Sequence, residues 1–408
     1  MNASAQFVMR MFSKHYRESH LLMPERFSKR EFGFMFFDRS FVLRHIGFAK
    51  QAQLKKYLIE NVPSHVYYSS AYYEKPDAPS MQEKIWRGAD LIFDLDADHV
   101  RGAEKLTYEA MLGRVKEEVT KLLDDFILGD FGFGVDETRV VFSGGRGFHV
   151  HVSSPGVLKL SSHQRREIVD YITGTGLDID YVLPMTPFEV KRYGDNIVTK
   201  PRRRMVKAGD GGWQRRIRRG IDGLFAEIMG LPTEQQAGHL REICSQAGIS
   251  ASEKLLQGLY DELFKSHSGT RGIDRMMNED NFEVFKEDKY LNLFIEIVRK
   301  KTAVDIAGET DEPVTSDVKR LIRLPSSLHG KTGFEVVPMT REQLDTFDPF
   351  DDAVPEAFGD NTVRITCEKP VQVKLKGNRY DLDQGLNDVP EFVAVHLVCR
   401  KLATIEVQ

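Results

Sequence analysis

Apolar positions along this chain change their period several times. Near the N-terminus Phe7, Met11 and Tyr16 recur at roughly helical spacing in a basic, acid-free stretch, which predicts an amphipathic first helix with those three side chains turned inward. Four stretches rich in β-branched and aromatic residues predict strands: Val66 to Ser70, Asp90 to Leu95, Arg139 to Phe142, and Phe148 to Val152. Between the second and third, Leu112, Val115, Val119, Leu122 and Phe126 recur every three or four residues, the stripe of a helix packed on a sheet. Ser161 or Ser162 is a good N-cap for a further helix carrying Ile168, Val169 and Ile172. This alternation predicts an α/β or α+β fold, a central mixed sheet flanked by helices.

From about residue 214 to 301 the strand signals vanish. Ile221, Leu224, Phe225 and Ile228, then Tyr290, Leu293, Phe294, Ile297 and Val298, keep helical period. The expected organisation is a larger domain in two parts, 1–213 and 302–408, carrying a smaller all-helical insertion, 214–301. In the second part Leu321 to Pro325, Phe334 to Val337, Val371 to Leu375 and Phe392 to Leu397 read as short strands, with a turn at Gly377-Asn378. There is no internal repeat.

Composition narrows the class. With 408 residues, 41% hydrophobic and 29% charged, the chain is neither fibrous nor disordered. No apolar run approaches the ~18 residues of a membrane span, and no secretory leader is expected. Three scattered cysteines, Cys244, Cys367 and Cys399, make neither a disulfide framework nor a four-cysteine zinc site, which fits a reducing cytoplasm. The net charge of −4 does not announce a nucleic-acid binder. Nine cations between Lys200 and Arg219 do suggest a phosphate-backbone contact, with a solvated face as the ordinary explanation.

Three segments carry chemistry. In Phe93-Asp94-Leu95-Asp96 on a strand, the two acids share one face while Phe93 and Leu95 pack behind. Paired carboxylates repel unless a cation lies between them, and Mg²⁺ favours such oxygen ligands, although two solvated acids at a strand end are common. Next, Ser143-Gly144-Gly145-Arg146-Gly147 between two β-runs makes a tight turn whose N–H groups, with Arg146 and Ser143, suit an anion. His149 and His151 follow on one strand face. Third, Arg323, His329 and Lys331 are donors in a segment otherwise built like a packed strand and turn.

These segments together resemble the small catalytic subunit of archaeal and eukaryotic DNA primase. The resemblance rests on Pro24-Glu25-Arg26, Arg30 to Phe34, His65 to Glu74, the Phe93 to Asp98 strand, Ser143 to Val152, and Arg320 to Gly333, in the family's order over roughly the first 340 residues. It implies the primase catalytic fold and template-directed synthesis of short RNA, or also DNA, primers on single-stranded DNA for replication. Asp94, Asp96 and a third Asp would bind two Mg²⁺ or Mn²⁺ ions. Ser143, Arg146, His149, Arg323, His329 and Lys331 would hold the nucleoside triphosphate. The family's pattern of an Asp three residues before a Val-Ser/Thr pair implies Asp311, ahead of Val314-Thr315, as the third carboxylate, with Asp305 as the fallback. Arg30 and Glu31 are expected to pair structurally. The implied partner is the large primase subunit, in a heterodimer, with no membrane contact and a cytoplasmic or, in a eukaryote, nuclear location. Family members commonly carry a zinc knuckle after the paired acids; residues 100–134 hold no cysteine, so no zinc is expected. A gap-filling primase-polymerase and a non-catalytic subunit of the same fold are the alternatives.

Overall fold

The computed structural model describes residues 2–98, 106–194, 196–207, 209–267, 269–279, 282, 284–303 and 307–406. Asp305 lies outside them. The chain divides into two compact units, Met1–Val169 with Glu309–Gln408, and Asp170–Gly308.

In the first unit, α1 (Ala3–Glu18) begins on an Asn2 cap and buries Phe7, Val8, Met11, Phe12 and Tyr16, the inward face that the spacing predicts. In place of one central mixed sheet there are two four-stranded sheets, antiparallel throughout. One contains β1 (Phe32–Met35), β2 (Leu43–Ile46) and β3 (His65–Ser69). The other is built on β4 (Leu91–Asp96), β5 (Thr138–Phe142) and β6 (Gly147–Val152), with β5 and β6 joined by the glycine turn. Strand β7 (Leu321–Arg323) returns to the edge of the first sheet beside β3, and β8 (Val337–Met339) to the edge of the second beside β5. The late segment is thereby delivered to both sheets. Helix α2 (Tyr108–Lys121) lays Met111, Leu112, Val115 and Val119 inward, as the stripe requires. Helix α3 (Ser162–Thr173) opens on Ser161, whose hydroxyl accepts from the Gln164 N–H.

Arg30 and Glu31 are the buried polar anchor of this frame. Arg30 donates to the carbonyls of Ser69 and Ser70 and to Asp90 at 2.6 Å, tying β3 to the residue that precedes β4. Glu31 is enclosed by Arg44 and Lys84. Removing one partner of such a pair strands the other charge, a loss of about 3–5 kcal/mol.

Near the C-terminus, Phe392 to Leu397 is not a strand. It lies in α4 (Glu391–Cys399), where every side chain from Phe392 to Val398 is buried. A helix buried on all sides shows no polar stripe, so its run of β-branched residues reads like a buried strand. Helix α4 is followed by β11 (Ala403–Ile405), which pairs with β9 (Thr362–Cys367); β10 (Gly385–Pro390) flanks β9 on its other edge.

The second unit holds helices Gly212–Met229, Thr233–Gln246, Glu253–Phe264 and Asp288–Ile297, with a hairpin of Met185–Tyr193 and Asn196–Arg203. Residues 214–301, which sequence reads as helical, fall inside it, while the hairpin comes from the stretch that sequence assigns to the first part of the larger domain. Its arginines are largely committed within the unit. Arg203 pairs with Asp180, Arg204 with Asp210, and Arg216 is buried against Trp213 and Tyr171. Arg218 donates to the Val206 and Met277 carbonyls. The charge density that suggests template contact thus serves folding at these four positions. Among the described residues, no helix is long and apolar enough to cross a membrane.

Candidate active site

Strand period sets the site. On β4, Phe93 and Leu95 are buried in the core while Asp94 and Asp96, 21% and 31% exposed, face a cavity of about 660 Å³. Register with β6 places His149 across from Asp94 and Gly147 across from Asp96. Glycine is required at 147, because a Cβ there would collide with the Leu95 carbonyl oxygen. Gly144 sits at φ 74°, a conformation that lets the turn pass over His329.

The turn is fastened from three sides. The Ser143 hydroxyl accepts from the Gly145 N–H at 3.3 Å, the Tyr108 hydroxyl donates to the Gly145 carbonyl at 2.6 Å, and Thr332 donates to the Gly144 carbonyl. Arg146 projects from it, half-exposed, 3.4 Å from Asp96 and bonded to Asp98.

Three imidazoles in this region are held neutral. Burial pushes His149 well below its usual range, helped by the charges of Arg323 and Arg320, so its 3.5 Å approach to Asp94 is not an ion pair. Burial does the same to His329, with Arg323, His65, Lys331 and Arg146 adding to it. Burial and the charges of Arg323 and Lys331 bring His65 down to about 3. Neutral His65 accepts through Nδ1 from Arg323 Nη1 at 2.8 Å and from the Gly330 N–H at 3.3 Å. One buried ring therefore aims an arginine and anchors the loop that carries His329 and Lys331. The Thr332 hydroxyl has one proton and gives it to Gly144. At 3.1 Å, His329 Nδ1 is then the donor to Thr332, leaving the Nε2 lone pair toward the glycine turn.

Eight of the nine residues singled out from sequence line this one cavity: Asp94, Asp96, Ser143, Arg146, His149, Arg323, His329 and Lys331. The ninth, Asp311, is not in its lining. Its main-chain N–H donates to the Asp94 carbonyl at 2.9 Å, which sets it beside the end of β4, where it begins the short helix Glu312–Ser316. Among the described residues, no three His, Cys, Asp or Glu side chains converge as a metal cluster. Two adjacent carboxylates open to a cavity still suit Mg²⁺, which is usually held by one or two carboxylates together with substrate phosphates.

Sequence reasoning missed Tyr108, Thr332, Cys399, Arg400 and Lys401, all in the lining, and the anchoring role of His65. The last three come from the end of α4 (Cys399) and the turn after it (Arg400 and Lys401). That turn is a Schellman cap, in which Lys401 N–H bonds to Val398 O and Leu402 N–H to Leu397 O. Lys401 takes the left-handed position, φ 59°, where glycine is usual. In all, five cations (Arg146, Arg323, Lys331, Arg400, Lys401) face two carboxylates, an excess of three positive charges that suits a polyanion.

Comparison with known proteins places residues 93–341 on the family model for the DNA primase small subunit. The chain is 40% identical to the DNA primase small subunit PriS of Methanothrix thermoacetophila, covering 98% of this chain and 99% of that one. It is 38% identical to PriS of Methanocella arvoryzae over 98% of both chains. To PriS of Methanosphaerula palustris it is 40% identical, over 99% of this chain and 98% of the relative.

Proposed function

The chain belongs to the DNA primase small subunit family, and we propose that it is the catalytic subunit of a primase, starting short RNA primers on single-stranded DNA and able also to use deoxynucleotides. The observation that carries this reading is the convergence, in one cavity, of the paired strand carboxylates, the glycine turn and the cations of the late segment.

In this reading Asp94 and Asp96, with Asp311 beside them, hold Mg²⁺ or Mn²⁺. When bound, such ions activate a 3′-hydroxyl and offset the charge on departing pyrophosphate. The rest is positioning and electrostatics, which dominate nucleotidyl and phosphoryl transfer. The turn's N–H groups and Ser143 receive phosphate oxygens, and Arg323 and Lys331, from the lining of the same cavity, neutralise them. Arg146, resting against Asp96 and Asp98 at the mouth of the turn, would offer its guanidinium to a phosphate oxygen. His149 keeps Asp94 oriented without competing for its charge, because it is neutral. Starting a strand means holding two free nucleotides without a primer's binding energy, which supports a heterodimer with a large primase subunit. No structural zinc enters this reading.

The test is primer-free synthesis on single-stranded DNA with labelled ribo- or deoxyribonucleotides, with and without a large subunit. Template-dependent dinucleotides support the reading. Extension of supplied primers alone, with no product from free nucleotides under either condition, would replace it with gap filling.

A further inference from the structure

The final segment of the chain, from β9 to β11, reaches the cavity at a single place, the turn after α4. We propose that this turn is a second phosphate clamp, in which Arg400 and Lys401 grip the terminal phosphates of the incoming nucleoside triphosphate. The inference rests on the nucleotide-binding reading above and assigns a role to the C-terminal module.

Four observations support it. Both residues line the cavity that holds the glycine turn. Among the described residues, no carboxylate lies within 4.0 Å of either cationic head, whereas Arg341 and Arg364 elsewhere in this unit are fully paired. A partly buried arginine with no anionic neighbour is a group prepared for an anionic ligand. The Arg400 guanidinium lies 4.4 Å from the centroid of the Tyr108 ring, and the hydroxyl of that ring holds the Gly145 carbonyl. Arg146 directly follows Gly145, so Tyr108 brings the two arginines to the same end of the cavity. Finally, Lys401 occupies a left-handed capping position that glycine fills with less strain. A lysine there makes sense if its charge is used.

The location favours a nucleotide over a nucleic-acid strand. Arg400 is tied through Tyr108 to the turn that takes phosphate, and Lys401 follows it directly. Tyr108 is a positioning residue: its ring carries the guanidinium and its hydroxyl fixes the turn.

The ordinary role for cations at a helix C-terminus is to stabilise the helix, and the test separates the two. Arg400→Gln and Lys401→Gly are made in the full chain. Affinity is titrated with Mg²⁺ and α,β-methylene ATP, with AMP, and with single-stranded oligonucleotide, alongside thermal unfolding. Each variant is expected to bind the triphosphate roughly tenfold more weakly, the loss of one charge-assisted contact, with AMP and oligonucleotide affinities unchanged. Lys401→Gly is expected to unfold at or above the wild-type temperature, the opposite of a purely structural role. Unchanged triphosphate affinity in both variants, while Arg146→Ala weakens it, overturns the clamp and leaves the function reading intact. Oligonucleotide affinity falling while triphosphate affinity holds overturns it in favour of a strand contact. A wild-type chain that binds no triphosphate overturns both.

Discussion

Replacing His65 tests whether a residue that need not touch substrate sets the site's geometry. His65 is 4% exposed, and its Nδ1 receives both the Arg323 guanidinium and the Gly330 N–H. His65→Ala removes that acceptor and leaves two donors facing a small void. A buried large-to-small change with lost hydrogen bonds costs about 2–4 kcal/mol, and the neighbouring open cavity, by admitting water, keeps it near the lower end. Arg323 then loses its aim and Lys331 its anchored loop. Weakening one charge-assisted phosphate contact by about 1.4 kcal/mol raises KM for the nucleotide roughly tenfold, with a smaller effect on kcat. His65→Asn offers an amide oxygen in nearly the same place as Nδ1. It should return KM to within about threefold of wild type while remaining less stable, since it fills less of the void. Steady-state incorporation kinetics, with thermal unfolding as the folding control, read both effects. A folded His65→Ala with wild-type KM, or an Asn variant as impaired as Ala, refutes the anchoring role.

Three further outcomes follow. Phosphate arriving at the His329 Nε2 lone pair should draw a proton, so titration of α,β-methylene ATP in buffers of different ionisation enthalpy should show proton uptake that His329→Ala abolishes; no uptake would mean that Thr332 turns its hydroxyl from Gly144 to His329. Burial lowers His15 and His151 to about 4 and His65 and His396 to about 3, from an ordinary 6.5. Unfolded imidazoles take up protons below pH 6.5 while these four do not, so stability is full well above that pH and declines below it, by about 1 kcal/mol for each such group at pH 5.5; a melting temperature flat between pH 7 and 5.5 contradicts this. Asp311→Ala should abolish synthesis under saturating Mn²⁺ and Asp305→Ala should not, and the reverse pattern would transfer the third carboxylate to Asp305.

Legibility in the sequence followed the local rules. Asp94 and Asp96 were visible because strand period two puts alternate residues on one face, and the glycine turn because three glycines between β-runs leave few other conformations. The late donors stand out in sequence as charges in a packed strand and turn, but only the resemblance assigns them to the same ligand as the glycine turn, since nothing local says that β7 returns to β3. Arg400 and Lys401 were missed because α4 is buried all round and reads as a strand, which hid both the helix end and its capping turn. Tyr108 was missed for another reason: a tyrosine beginning a helix looks like core, and only tertiary structure brings its hydroxyl to Gly145. The basic stretch near residue 210 shows a further limit. Its charge density is plain, but Asp180, Tyr171 and the Met277 carbonyl, which engage it, are distant in sequence.

The central claim is that Asp94 and Asp96 make this cavity a nucleotidyl-transfer site. Asp94→Asn tests it most directly, since the side chain keeps its shape and is partly exposed, so folding should change by less than about 1 kcal/mol. The measurement is primer-free dinucleotide formation on single-stranded DNA with Mn²⁺ and the large subunit present, beside the melting temperature of the same preparation. The account expects an unchanged melting temperature with synthesis reduced at least about a thousandfold, several kcal/mol of lost transition-state stabilisation. Near-wild-type synthesis by a folded Asp94→Asn chain would contradict it.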